Sequence, residues 1–181
     1  MEHYSIDEDV LRRWCNVIRA KSGTTGMIAP ALIPSALETL DGREAAKQII
    51  LRTKEIVTAS DLAGVVTIGT YGLAGLQATT IELPETVTTI SSYGLYDCPN
   101  VQSVVFPASV VSIGDYALNK CDKLESVRMR GETPPALSHN AFYQSLYFKT
   151  IYVPAGCSET YKQATNWSYW ANRVEILEED V

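Results

Sequence analysis

The chain has 181 residues, 46% hydrophobic and 20% charged, with a net charge of −6. That length suits one compact array plus a small extra piece. An acidic balance with no stripe of Lys or Arg argues against a nucleic-acid surface, and no run approaches the ~18 apolar residues of a membrane span.

The opening residues, MEHYSIDEDVLRRWCNVIRAK, interleave acids and bases. A secretory signal would carry an unbroken apolar core there, so the expectation is a product made and retained in the cytoplasm or released by lysis. Ser5 and Glu8 form a capping box that opens a helix over residues 5–22. Val10, Leu11, Trp14, Val17 and Ile18 follow helical spacing and make one apolar stripe. A helix this short is marginal alone. Its stripe therefore packs either on the domain that follows or on other copies of the chain. After a turn at residues 23–26, Ile33, Ala36, Leu37 and Leu40 suggest a second short helix. Residues 43–55 read as a linker, Ile56 and Val57 as an opening strand, and residues 61–66 have no assigned register.

From residue 80 the chain repeats itself. Ile81, Leu83, Pro84, Val87 and Ile90 fall on Val104, Phe106, Pro107, Val110 and Ile113 at a shift of 23, and Tyr93, Leu95, Cys98 and Val101 fall on Tyr116, Leu118, Cys121 and Leu124. A stretched copy runs through Val127, Met129, Leu137, Asn140, Phe142, Ser145 and Phe148. An earlier copy holds Ile68, Tyr71, Leu73 and Leu76. A period of this size marks a solenoid whose units bury their apolar sides against one another, because one copy alone buries too little to offset the entropy of ordering it. The alternating runs 80–83, 103–106, 126–129 and 150–153 read as parallel strands. Pro84, Pro107 and Pro154 are expected to end three of them, since proline offers no N–H. Second extended pieces are expected over 87–90 and 110–113, then tight turns through the tyrosines. The register leaves two outward columns. One holds Thr80, Ser103, Ser126 and Thr150; the other holds Glu82, Val105, Arg128 and Tyr152.

The pattern I-x-L-P-x-x-V-x-x-I-x-x-Y-x-L-x-x-C-x-x-V resembles the BspA-like leucine-rich repeats of bacterial surface proteins. Ala141-Phe142, Pro134-Pro135 and the tail Ile151-Tyr152-Val153-Pro154 with Tyr161, Lys162, Trp167 and Tyr169 share that likeness. It implies an adhesive scaffold and does not name a target. Separately, Val17 to Gly23 with Met27, Pro30, Ile33 and Pro34 resembles a segment near the start of tailed-phage structural proteins. That likeness implies a virion part assembled inside the host cell, and, because phage fibres are commonly trimers, a trimer.

Beyond the repeat, residues 158–164 suggest a short helix. Trp167, Tyr169, Trp170, Val174 and Ile176 offer surface for a cap, 174–177 suggests a last strand, and Glu178, Glu179 and Asp180 read as a solvated terminus. The chemistry-bearing residues form no recognisable site. His3 and His139 pair with no nucleophile, and Cys15, Cys98, Cys121 and Cys157 include no C-x-x-C, so no metal or cofactor is expected. Cys98 and Cys121 occupy equivalent layers; buried free thiols outweigh a bridge in a cytoplasmic product. Asp97, Asp115, Asp122 and Glu125 read as solubilising. Tyr71, Tyr93 and Tyr116 recur by register and read as structural. For Tyr143, Tyr147, Tyr152, Tyr161 and Tyr169 a core-capping role outweighs an aromatic binding patch.

The reading is an α+β chain: residues 1–42 a helical attachment or oligomerisation segment, 43–55 a linker, 56–154 a leucine-rich-repeat solenoid with parallel strands, and 155–181 a C-terminal cap. The expected function is non-enzymatic. A phage tail- or baseplate-associated fibre would join other virion proteins or its own copies through residues 1–42. It would meet a host-surface glycan or protein through the two outward columns, with no nucleic acid and no membrane as partner. A bacterial surface adhesin or scaffold, a capsid decoration or spacer, and a glycan hydrolase are the alternatives.

Overall fold

The computed structural model describes Leu51 and residues 53–179. The helix expected over residues 5–22, with Val10, Leu11, Trp14, Val17 and Ile18, lies outside them, as does the second short helix.

Ten short strands follow in order: β1 (Ile56–Val57), β2 (Thr67–Ile68), β3 (Thr80–Glu82), β4 (Thr89–Ile90), β5 (Ser103–Phe106), β6 (Ser112–Ile113), β7 (Ser126–Met129), β8 (Ala136–Leu137), β9 (Thr150–Pro154) and β10 (Glu175–Glu179). The first nine alternate between two wholly parallel sheets, and β10 joins the same sheet as β9. One has six strands in the order β1-β3-β5-β7-β9-β10, the other four in the order β2-β4-β6-β8. Each layer supplies one strand to each sheet, so residues one period apart become neighbours.

The period-two alternation of the longer runs sets which side is buried. Ile81, Val104, Val127 and Ile151 pair in register and are fully buried. Phe106 pairs with Met129, and Leu83 donates its N–H to Val105, so these three side chains form a continuous buried row. Leu95 and Leu118, Cys98 and Cys121, and Val101 and Leu124 repeat the same stacking around the far turn. Burying both sides of every inner layer is what an isolated copy cannot do.

Several expectations are corrected. The second extended pieces are only two residues long each, yet they assemble into a sheet of their own. Residues 61–66 enter through a 3-10 turn, Ala59–Leu62, held by Asp61, which accepts from the Thr58 N–H at 2.9 Å and from Lys54. Pro154 does not stop the ladder before it; it is the last residue of β9, opposite Glu179. β10 adds to the six-stranded sheet beside β9, so Glu178 and Glu179, expected as a solvated terminus, are part of a strand. Glu178 accepts from the N–H of Ser158 at 3.0 Å, and Glu179 pairs with Arg128.

Two short helices, α1 (Ser158–Gln163) and α2 (Trp167–Ala171), lie between β9 and β10. Tyr161 and Trp167 are fully buried, their rings edge to face at 5.1 Å. Tyr161 Oη donates to the Gly131 carbonyl and Trp167 Nε1 to the Pro135 carbonyl, both at 2.7 Å. The large rings supply apolar area while their polar ends meet carbonyls left over by the last layer. Tyr143 and Tyr147, expected with the cap, are instead half exposed or more.

Candidate functional site

The two outward columns chosen from the sequence do lie in register on the six-stranded sheet: Thr80, Ser103, Ser126 and Thr150 in one row, Glu82, Val105, Arg128 and Tyr152 in the next. Their chemistry is largely turned on itself. Arg128 pairs with Glu179 and lies 5.1 Å from the centroid of the Tyr152 ring. Glu179 accordingly raises the Arg128 guanidinium above its ordinary value. Arg130 reaches back to Glu82 at 2.7 Å and Glu85 at 3.7 Å. Because β5 lies between β3 and β7, which Arg130 immediately follows, that ion pair crosses over β5. Val105, on the same face, is only 7% exposed. Val105 is therefore a covered apolar residue and not part of an accessible contact face.

The four-stranded sheet offers a different surface, which the sequence reading passed over. An open groove of about 510 Å³ is lined by Thr70, Thr89, Ser91, Ser92, Ser112, Gly114, Ala136 and Ser138, with Ile90, Ile113 and Leu137. Among the described residues, no charged side chain lines it. Thr89 and Ser112 pair directly in adjacent strands. The hydroxyls of Thr70, Thr89, Ser91, Ser92 and Ser112 have no protein hydrogen-bond partner among the described residues. Ser138 alone is committed, donating to Asp115 Oδ1 at 2.9 Å. Small residues are required here: a Cβ on Gly114 would stand 2.6 Å from the Ser92 nitrogen, so the layers pack backbone against backbone.

The turns that follow these strands in the chain carry a ladder of aromatic rings. Tyr71 and Tyr93 follow Thr70 and Ser92 in the chain, and Tyr116 follows Asp115. Tyr71 stacks on Tyr93 at 5.1 Å and Tyr93 on Tyr116 at 5.2 Å. Tyr96 stands edge-on to Tyr71 and Tyr93, Tyr143 is edge-on to Tyr116, and Lys120 Nζ lies 5.5 Å from the Tyr96 ring. The three stacked tyrosines share a left-handed backbone, with φ of 58°, 60° and 54°. For bulky side chains that conformation costs on the order of 1–3 kcal/mol each, and each stacked pair returns about 0.5–1.5 kcal/mol. Desolvation, then the neighbouring Tyr71 and Tyr116, raise the Tyr93 phenol above its ordinary value, so it stays a neutral hydroxyl. Tyr71, first in the ladder, is 50% exposed. The arrangement can present hydroxyls at regular intervals beside aromatic edges.

Elsewhere, His139 lies against the Tyr169 ring at 4.2 Å, and Tyr169 in turn carries Arg173 at 3.5 Å. Cys98, Cys121 and Cys157 are free thiols, and no group of three or more metal-ligating side chains occurs among the described residues. No helix among the described residues is long and apolar enough to cross a membrane.

Parallel layers of this length, each contributing a strand, a turn and a buried leucine- or isoleucine-rich row, define a leucine-rich repeat protein. Residues 53–169 match the BspA type Leucine rich repeat region in six copies, and the chain belongs to that family. In fold it is similar to a leucine rich cell surface protein from Faecalibacterium prausnitzii, with a TM-score of 0.50 and 16% identity. That likeness covers 71% of this chain but 33% of the other, so this chain spans about a third of that protein's length. No curated protein matches the chain. Neither likeness brings a phage tail protein with it, and the expectation of a virion segment over residues 1–42 stands on its sequence alone.

Proposed function

We propose that the chain is a non-enzymatic recognition module, a short solenoid that presents its four-stranded sheet to an extended, uncharged, hydroxyl-rich partner such as a neutral glycan. The observation that carries this reading is the row of unpartnered Ser and Thr hydroxyls repeated layer by layer beside the tyrosine ladder. A repeating polymer meets a repeating surface at matched intervals, and many modest contacts then add. The absence of charge in the groove, on a chain of net charge −6, favours neutral over anionic polymers. A protein hot spot, by contrast, wants a deep desolvated pocket for an anchor side chain, and this groove is open.

The setting that fits best is a bacterial cell surface, in keeping with the likeness to a surface protein of the same fold class. A virion fibre is the second reading, favoured by the sequence of residues 17–34. On either reading, residues 1–42 attach or oligomerise the module. Arrays of neutral and anionic glycans probed with the purified full chain test the ligand class. Binding confined to neutral members, and lost on Ser112→Arg, is the expected result; binding only to anionic members contradicts it. An antibody to the repeats that labels intact bacteria supports the first setting, and one that labels purified particles supports the second.

A further inference from the structure

Cys98 and Cys121 stand at equivalent positions of adjacent layers and are both fully buried. The backbone around them is tied across the same two layers, Leu95 N to Ala117 O at 2.8 Å and Asp97 N to Asn119 O at 2.9 Å. Hydrogen-bonded parallel segments are about 4.8 Å apart, inside the Cα separation of about 4.4–6.8 Å that a disulfide tolerates. Each thiol now donates one layer back, Cys98 Sγ to the Leu73 carbonyl and Cys121 Sγ to the Leu95 carbonyl, both at 3.3 Å. The two thiols are in mutual contact, which lowers the Cys98 thiol and raises that of Cys121.

We infer that Cys98 and Cys121 form a latent disulfide that clamps two inner layers when the chain folds in an oxidising environment. The Cys98 thiolate attacks a small disulfide such as oxidised glutathione, forming a mixed disulfide and expelling one glutathione thiolate. Cys121, losing its proton, then attacks the Cys98 sulfur and expels the second. One external disulfide is reduced to two thiols, and the two protein thiols give up two electrons and two protons. Full burial means the oxidant reaches the pair only while the layers are open. Bridging is therefore fast during folding and slow in the folded chain. The clamp joins the layers that carry Tyr93 and Tyr116, and so fixes the spacing of the ladder beside the groove.

The test uses the full chain with Cys15→Ser and Cys157→Ser, which leaves one pair. The chain is refolded with oxidised glutathione, unfolded, alkylated and weighed. The expected product has lost two hydrogens, takes no alkyl group, and yields a peptide linking Cys98 to Cys121. Its Tm stands on the order of 10 °C above that of the reduced chain, as for closure of a loop of roughly two dozen residues. The folded, reduced chain given the same oxidant should bridge at least tenfold more slowly. Two free cysteines after oxidative refolding, or glutathione retained on both, overturns the inference. A Cys98→Ser variant that folds equally well and shows the same Tm with and without oxidant confirms that any shift comes from the bridge.

Discussion

Individual residues in this chain are judged by what the turn demands of them. Each layer has a second left-handed position, occupied in succession by Gly75, Asp97, Lys120 and Gln144. Only the first is the residue that adopts this conformation without steric cost. Gln144 is exposed, and its side chain meets only the Asn119 amide, at a long 3.5 Å. Gln144→Gly should therefore stabilise the chain by about 0.5–1 kcal/mol, the relief of strain less the entropy of glycine, read as a higher urea midpoint. Asn119 behaves differently. It is the buried polar side chain of the core and donates to the Tyr143 carbonyl at 3.0 Å. Asn119→Ala leaves that carbonyl without its donor and should cost about 1–3 kcal/mol in the same assay. Neither effect is visible in the sequence, where backbone angles and partners a layer away leave no local mark.

The elements were legible in proportion to the length of their pattern. Strands β5, β7 and β9 lie where four or five alternating residues predict them, and the row from Leu83 through Phe106 to Met129 follows from the repeat alone. Strands β4 and β6 have two residues each, too few for any alternation, so their sheet and its groove could not be read from the sequence. Val105 was misread because the pair that crosses it, Arg130 with Glu82, joins residues 48 apart. The cap helix α2 has five residues and no capping side chain, so the sequence showed only apolar cap surface at Trp167, Tyr169 and Trp170 and no helix. The Trp167 ring sets the cap's stability. Trp167→Ala removes a fully buried indole and the donor to Pro135, and should cost about 3–5 kcal/mol by denaturant titration.

The same scale governs acid stability. Lys54, aided by the Thr58 N–H, holds the Asp61 carboxyl down to about 2 from an ordinary 3.8. Ser158 and the nearby backbone hold Glu178 at about 2 from an ordinary 4.5. Depressed carboxylates stabilise the fold fully above their unfolded pKa, and that contribution is lost as pH falls through the folded value. Thermal stability should thus decline between about pH 4 and pH 2. In Asp61→Asn with Glu178→Gln the decline over that window should be shallower, with a lower Tm at neutral pH. Scans at stepped pH on both chains provide the measurement.

At the scale of the whole described region, the layers stand or fall together, since each inner layer has two neighbours and its core has no other cover. The stacking leaves two outer faces of opposite character. On the six-stranded sheet, Arg128, Tyr152, Glu179, Arg130 and Glu82 satisfy one another. On the four-stranded sheet the hydroxyls wait unpartnered beside the tyrosines. A repeat fold can vary what such a face presents while leaving the buried rows alone. The most direct measurement titrates a neutral glycan selected on the array against two variants in parallel: Ser112→Arg on the groove, and Arg128→Ala with Tyr152→Ala on the opposite sheet. Affinity lost at least tenfold in the first and unchanged in the second is the predicted result. Affinity kept with Ser112→Arg and lost with Arg128→Ala and Tyr152→Ala would contradict the account.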